Sequence, residues 1–156
     1  WKNNNKKALP AYDQYLPQPG QAVDFRTQVH WQAPATMKLD IAIVPTGQPY
    51  EQGLLTHNAH IATPETAGTS HYFFWLTRQF LMDDEDVNAK RQAAMLNAFG
   101  NQDKPMLREQ QMAMGTDDLF GLGPVLLTTD AGAVRARRKL EKMIDGERQA
   151  PAQTPT

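Results

Sequence analysis

Cysteine is absent from this chain of 156 residues. Disulfide bonds, thiolate metal sites and a cysteine nucleophile are therefore excluded within it, and we expect a reducing, cytoplasmic setting. An excess of one charge is also missing, because 16 Lys and Arg residues face 17 Asp and Glu residues. Bulk electrostatics therefore gives no reason to expect nucleic acid or an anionic membrane as a partner.

Long apolar runs are missing too, since none approaches the roughly 20 residues that a membrane-spanning helix requires. The first residues, WKNNNKKALP, do not show the basic and then apolar pattern of a signal peptide. The sequence begins with Trp1 instead of Met, so we expect it to start inside a longer product. It contains no phosphate-binding loop, GxSxG elbow or HExxH helix.

Alternating apolar and polar residues predict strands in the first half of the chain. Residues 1–22 are rich in Asn, Lys, Pro and Gln, and their prolines predict a loop or linker. The turn cluster PTGQP then separates two of the runs and favours antiparallel pairing. The predicted strands cover residues 23–32, 37–44, 54–63 and 69–80.

Helical patterns follow in the second half. Four acids, residues 83–86, crowd the positive end of a helix that should run to about Gly100, and a Thr-capped last helix is predicted over 128–145. The polar, proline-bearing residues 146–156 predict a disordered tail. Strands first and helices last predict one α+β domain over 23–145, in which an antiparallel sheet grips a long helix.

Asp103 lies where the helical pattern calls for an apolar residue. Steps of three and four from Leu96 and Phe99 reach Asp103 and then Leu107, so a continuous helix would place all four on one stripe. The residues alone favour an ordinary explanation, in which Gly100 closes one helix and Asp103 caps the next. A functional carboxylate is the alternative, because an unpaired acid on a buried stripe would need a metal or a basic partner.

The other candidate side chains are histidines and aromatics. His57 and His60 invite a metal-site interpretation, but three residues apart in a strand they should point to opposite faces of the sheet. One inward histidine that hydrogen-bonds a ligand or a neighbouring strand fits better. The aromatic run HYFFW is interpreted first as hydrophobic core, with one face able to line an apolar cavity.

Several ordered motifs together resemble a known family. VHWQAP is followed by PTG, HIATPET, SHYFF and RQF, and then by AFGNQDKPMLREQQ and DAGAVRARRKLEKMI. From about Pro19 to about Ile144, this series is similar to the catalytic domain of Rieske non-haem iron oxygenases of the vanillate O-demethylase oxygenase group. The resemblance implies a helix-grip domain of the START or Bet v 1 type.

The resemblance also implies roles for particular residues. Asp103 occupies the position of the carboxylate in the two-histidine, one-carboxylate iron triad of that family. His60 matches a position that faces the substrate, and Phe74 belongs to the aromatic strand that would wall an apolar pocket. The resemblance assigns no further catalytic residue within this chain.

The family's other iron ligands have no counterpart here. The two histidines of the triad and the Cys and His ligands of the Rieske 2Fe-2S cluster are expected upstream of this chain. The whole enzyme is then expected to be a trimeric monooxygenase component that takes electrons from an NAD(P)H-dependent reductase. It would demethylate a methoxylated aromatic acid such as vanillate. The alternative is a helix-grip module that binds a small molecule without metal.

Overall fold

The computed structural model describes residues 2–149. It divides into two compact units, the first ending at Gly115 and the second beginning at Thr116. The single domain predicted over residues 23–145 stays a prediction. The boundary between the two units falls at Gly115, whose φ of 63° is left-handed and ends a helix, and the glycine-rich segment after it cannot continue that helix.

The first unit contains an antiparallel sheet of five strands in the order β1-β2-β3-β4-β5. The four predicted strands are present, and the predicted α+β class is confirmed. β1 is a correction, because it lies within the predicted loop. Its sequence, KNNNKK, has no apolar residue, so it lacks the alternating pattern that predicts a strand, and its side chains are almost all exposed. The strands are β1 Lys2–Lys7, β2 Ala22–Gln32, β3 Thr36–Pro45, β4 Leu54–Pro64 and β5 Ser70–Arg78.

The rest of the predicted loop is also partly ordered and packed. A one-turn helix, α1 (Pro10–Asp13), begins with proline, which is tolerated there because the first helical N–H needs no partner within the helix. Ala8 and Leu16, on either side of α1, are buried in a cluster with Val23, Ile43 and Leu54. This segment therefore covers one end of the sheet and does not behave as a free linker.

A long helical rod follows the sheet. It consists of α2 (Glu85–Leu96), a π-helical segment (Asn97–Asp103) and α3 (Lys104–Met114). The Asp84 side chain caps α2 by accepting a hydrogen bond of 3.0 Å from the Val87 N–H. The rod contacts the sheet face that carries the alternate residues 54–62 of β4 and 72–78 of β5, through Phe99 and through the bond between Asn88 and Arg78.

The second unit contains α4 (Ala131–Gln149), preceded by a 3-10 turn at Thr128–Asp130. The predicted threonine cap is not formed, since among the described residues no side-chain cap bond is made at the 3-10 turn by Thr128 or Thr129; instead the Asp130 carboxylate accepts a hydrogen bond of 2.8 Å from the Leu127 N–H, which closes the 3-10 turn. The tail prediction is wrong for residues 146–149, which continue α4. Residues 150–156 lie outside the described part. Within residues 2–149, no helix is both long and apolar enough to cross a membrane.

Candidate functional site

A cavity of about 530 Å³ lies between β5 and the π-helical segment. Its helical wall carries the predicted stripe of Leu96, Phe99, Asp103 and Leu107, so the sequence oriented this helix correctly. Each of these side chains remains substantially exposed or half-exposed, however, because they face a cavity and not a packed core. The lining residues are Ser70, His71, Tyr72, Phe74, Leu96, Phe99, Gly100, Asp103, Lys104 and Leu107.

Phe99 joins the helical wall to the sheet. Its ring centroid lies 4.7 Å from that of Phe74 and 5.7 Å from that of Tyr72, with the Tyr72 contact edge-on. The interpretation of HYFFW as core is wrong here: Tyr72, Phe73 and Trp75 are each about half exposed, at 45%, 48% and 54%. They belong to β5, an edge strand with a single neighbouring strand.

His60 lies behind this aromatic wall. Its ring stacks on Tyr72 and meets the edge of Phe99, and its Nδ1 lies 2.5 Å from the Tyr72 hydroxyl oxygen. Burial lowers the pKa of His60 below its ordinary value of 6.5, so the ring is neutral at neutral pH. Its Nε2 is buried and has no hydrogen-bond partner among residues 2–149.

Asp103 is the last residue of the π-helical segment. Its φ and ψ of −70° and −46° are helical, and within the described chain its side chain makes no capping hydrogen bond. The capping explanation is therefore wrong, because the rod passes through Asp103 without ending. Its exposed carboxylate lines the cavity, and after burial its negative charge is the second cause that raises the pKa of Tyr72.

A π-helical segment inserts extra backbone into a helix, and such segments are frequent at functional sites. Here it contains Phe99 and ends at Asp103, the two side chains that bring an aromatic ring and a carboxylate to the cavity. No signal in the sequence predicts it, because the flanking residues have ordinary helical composition. The sequence likewise did not single out Phe99 and Tyr72 as individual site residues.

The described residues do not gather a complete metal site. Among residues 2–149, no cluster of three or more His, Asp or Glu side chains could hold an ion. Asp103 itself fits a ferrous ion as one oxygen ligand, because its carboxylate is exposed toward the cavity and makes no cap. A triad would need two further ligands from outside these residues.

His57 and His60 point to opposite faces of the sheet, as the strand period predicts. On the far face, His57 Nδ1 lies 2.6 Å from Asp40 Oδ1, and the Lys38 ammonium lies 3.2 Å from Asp40 Oδ2. Burial alone would raise the pKa of Asp40, but the hydrogen bonds from His57 and Lys38 outweigh it and lower that pKa. This group is a structural ion-pair cluster and lies apart from the cavity.

Fold and site define this chain as a helix-grip domain with an aromatic cavity beside an exposed helical carboxylate. A family model described as "Vanillate O-demethylase oxygenase C-terminal domain" matches residues 1–146, and the chain belongs to that family. The resemblance seen in the sequence is thus confirmed.

Individual relatives are oxygenase components. The oxygenase component of chloroacetanilide N-alkylformylase from Rhizorhabdus wittichii is 31% identical over 147 residues, which cover 94% of this chain and 42% of that protein. The oxygenase component of dicamba O-demethylase from Stenotrophomonas maltophilia is 31% identical, over 78% of this chain and 36% of that protein. A toluene-4-sulfonate monooxygenase iron-sulfur subunit from Comamonas testosteroni is 30% identical, with the same coverage. The chain thus spans less than half of each relative's length.

Solved structures agree with the fold. Dicamba monooxygenase bound to 3,6-dichlorosalicylic acid superposes with a TM-score of 0.83 at 28% identity, covering 96% of this chain and 44% of that one. Dicamba monooxygenase with non-haem iron and dicamba gives a TM-score of 0.63 at 26% identity, over 94% of this chain and 46% of that one.

Proposed function

We propose that this chain is the C-terminal part of the catalytic domain of a Rieske-type monooxygenase, and that it supplies one wall of the substrate pocket and one iron ligand. The observation that carries this proposal is the cavity itself. Aromatic rings of β5 and Phe99 of the π-helical segment meet one exposed carboxylate there, in a chain that belongs to the oxygenase family.

The reaction we propose is oxidative O-demethylation of a methoxylated aromatic acid such as vanillate. The methyl C–H bond gains one oxygen atom of O2, two electrons and two protons reduce the other atom to water, and the resulting hemiacetal releases formaldehyde and a phenol. Bound iron would supply the oxidising chemistry. The naming of a dicamba O-demethylase relative supports demethylation as a class, whereas vanillate itself is a finer proposal.

The residues of this chain would bind and orient. Asp103 would give the iron a carboxylate oxygen and leave other positions open. Phe74 would hold the aromatic ring of the substrate through its position beside Phe99. His60 would hydrogen-bond an oxygen of the substrate through its partnerless Nε2.

Further components would complete the whole protein. A Rieske 2Fe-2S cluster and two iron-binding histidines would come from upstream residues, and electrons from an NAD(P)H-dependent reductase. The naming of relatives as oxygenase components and an iron-sulfur subunit supports this arrangement. A homotrimer and a cytoplasmic location stay predictions, and we propose no nucleic acid or membrane partner.

Replacing Asp103 with alanine in the intact protein tests the iron assignment. We expect loss of mononuclear iron with acid-labile sulfide retained, since only the helical carboxylate is removed. Asp83→Ala is the matched control, because Asp83 is an exposed carboxylate outside the cavity. Unchanged mononuclear iron in Asp103→Ala would contradict Asp103 as a ligand. A wild-type protein without mononuclear iron would favour the alternative, a helix-grip module that binds a small molecule without metal.

The 156 residues alone should have no oxygenase activity with a suitable reductase, because two of the three proposed iron ligands lie elsewhere. Measurable turnover by this piece would contradict the division of ligands proposed here. The intact protein, assayed in parallel, provides the positive control.

A further inference from the structure

The hydrogen bond between Tyr72 and His60 determines which ring nitrogen of His60 carries the proton. Nδ1 of His60 and the hydroxyl oxygen of Tyr72 are 2.5 Å apart, and the two rings stack at an interplanar angle of 19°. His60 is buried, at 8% exposure. Turning the ring away from Tyr72 would break both the hydrogen bond and the ring contact.

Both partners are neutral at neutral pH. Burial lowers the pKa of His60, and burial, followed by the negative charge of Asp103, raises the pKa of Tyr72. A neutral imidazole has one N–H and one bare nitrogen, and the bond at Nδ1 decides which is which. A phenol O–H is a much stronger acid than a neutral imidazole N–H, and a bare ring nitrogen is a much stronger base than a phenol oxygen. The bond is therefore strongest when Tyr72 donates.

We propose that Tyr72 is a positioning residue that donates its hydroxyl hydrogen to His60 Nδ1 and so holds His60 as the Nε2–H tautomer. The partnerless Nε2 is then a hydrogen-bond donor, and the ligand group that completes the site must be an acceptor. Carboxylate, sulfonate and amide carbonyl oxygens meet this requirement. This selection of an acceptor oxygen rests on the function proposed above, whereas the tautomer itself does not.

His60 lies behind the cavity wall, and its buried Nε2 meets a ligand only if the covering rings shift. Tyr72 and Phe99, the two rings that contact His60, both line the cavity. A buried donor without a partner destabilises a site, so an acceptor that reaches Nε2 gains more than an exposed hydrogen bond would give. A donor-only ligand meets a second donor there and gains nothing.

Nitrogen-15 NMR of the intact protein with labelled histidine, after removal of labile iron by chelation, reads the tautomer directly. The His60 signals are identified by their loss in His60→Gln. We expect a protonated Nε2 and a bare Nδ1 in the wild type, and a mixture of both tautomers in Tyr72→Phe. A protonated Nδ1 in the wild type, or an unchanged tautomer in Tyr72→Phe, would overturn the proposal. Iron analysis before chelation reports on the proposed function separately.

A double-mutant cycle tests the consequence for binding. Benzoate, which only accepts hydrogen bonds, and aniline, which chiefly donates them, serve as probes by ligand-detected NMR. We expect Tyr72→Phe to weaken benzoate binding about 3- to 10-fold and to leave aniline unaffected. His60→Gln keeps a donor near Nε2 that does not depend on Tyr72, so in that background Tyr72→Phe should change benzoate binding less than about 2-fold.

Other results of the cycle argue against the positioning role. Equal weakening of both probes would mean that Tyr72 is merely structural. An undiminished effect in the His60→Gln background would mean that Tyr72 contacts the ligand itself. Tyr50→Phe is the control, because Tyr50 packs against a different cluster and lies outside the cavity.

Discussion

Arg78 links the end of β5 to the start of α2, and replacing it with methionine tests how the helical rod is held on the sheet. Its Nε donates to the Phe80 carbonyl at 2.8 Å and its Nη1 to Asn88 Oδ1 at 2.5 Å. Its Nη2 donates to the Leu81 carbonyl. Methionine keeps much of the side-chain volume but removes these donors, so β5 loses its link to Asn88 of α2 and the two carbonyls of the connecting turn lose their partner.

The expected cost follows from these bonds. A hydrogen bond from a charged donor contributes roughly 1.5–3 kcal/mol when it is shielded from water, and less when water can replace it. Arg78 is half-buried, so we take about 1 kcal/mol for each bond and about 3 kcal/mol for the three. Arg78→Lys retains the charge but cannot reach three acceptors at once, and should cost about 2 kcal/mol.

Hydrogen exchange in the intact protein measures this locally. Loss of about 3 kcal/mol should speed exchange at Val87 and Asn88, in the first turns of α2, by about 100-fold, while β2 and β3 amides change little. Arg108→Met, an exposed arginine on α3, is the control. The reasoning fails if Val87 and Asn88 exchange at wild-type rates in Arg78→Met, or if the whole sheet loses protection equally.

Three further changes have defined outcomes. Asp40→Asn should destabilise the fold by about 1–2 kcal/mol in urea titrations at pH 7; because the folded pKa of Asp40 is lowered, this difference is present above 3.8 and should vanish as the pH falls through the folded pKa. Burial disfavours protonated His60, so the wild type should lose stability as the pH falls below 6.5. His60→Gln should not show this loss, and melting curves at pH 7.5 and 5 measure the difference. Phe99→Ala should widen the cavity and cost about 1–2 kcal/mol, with Phe99→Leu costing less; equal melting temperatures for wild type and Phe99→Ala would contradict the role of Phe99 as the link between rod and sheet.

The strands could be predicted where apolar residues recur along the sequence at the spacing of a strand. β2 to β5 agree with their predicted positions within a few residues, because β-branched, aromatic and other apolar residues recur along each of them. β1 could not be found that way, since its sequence KNNNKK carries no apolar residue and pairs only through its backbone with β2. Proline at residue 10 indicates a loop by itself, but the first turn of a helix accepts proline equally well.

The sequence predicted which face of its strand or helix each site residue occupies, but not how buried that residue is. Period two placed His57 and His60 on opposite faces, and steps of three and four placed Phe99 and Asp103 on one stripe, both as the structure has them. Burial was misjudged, because it depends on what lies across the gap and not on the helix itself. An apolar stripe reads identically in sequence whether it packs on a core or lines a cavity.

That ambiguity explains why an acid can lie on the stripe at all. A carboxylate packed in a core would need a charged partner, whereas Asp103 lies at a cavity where water or a ligand can solvate it. The same exposure leaves Leu96 and Leu107 57% and 64% open, which costs the chain part of its hydrophobic stabilisation. An aromatic ligand in the cavity would shield these leucines and keep its polar oxygen near His60. Apolar walls and a single inward histidine therefore favour the same kind of occupant, a flat ring with one acceptor group.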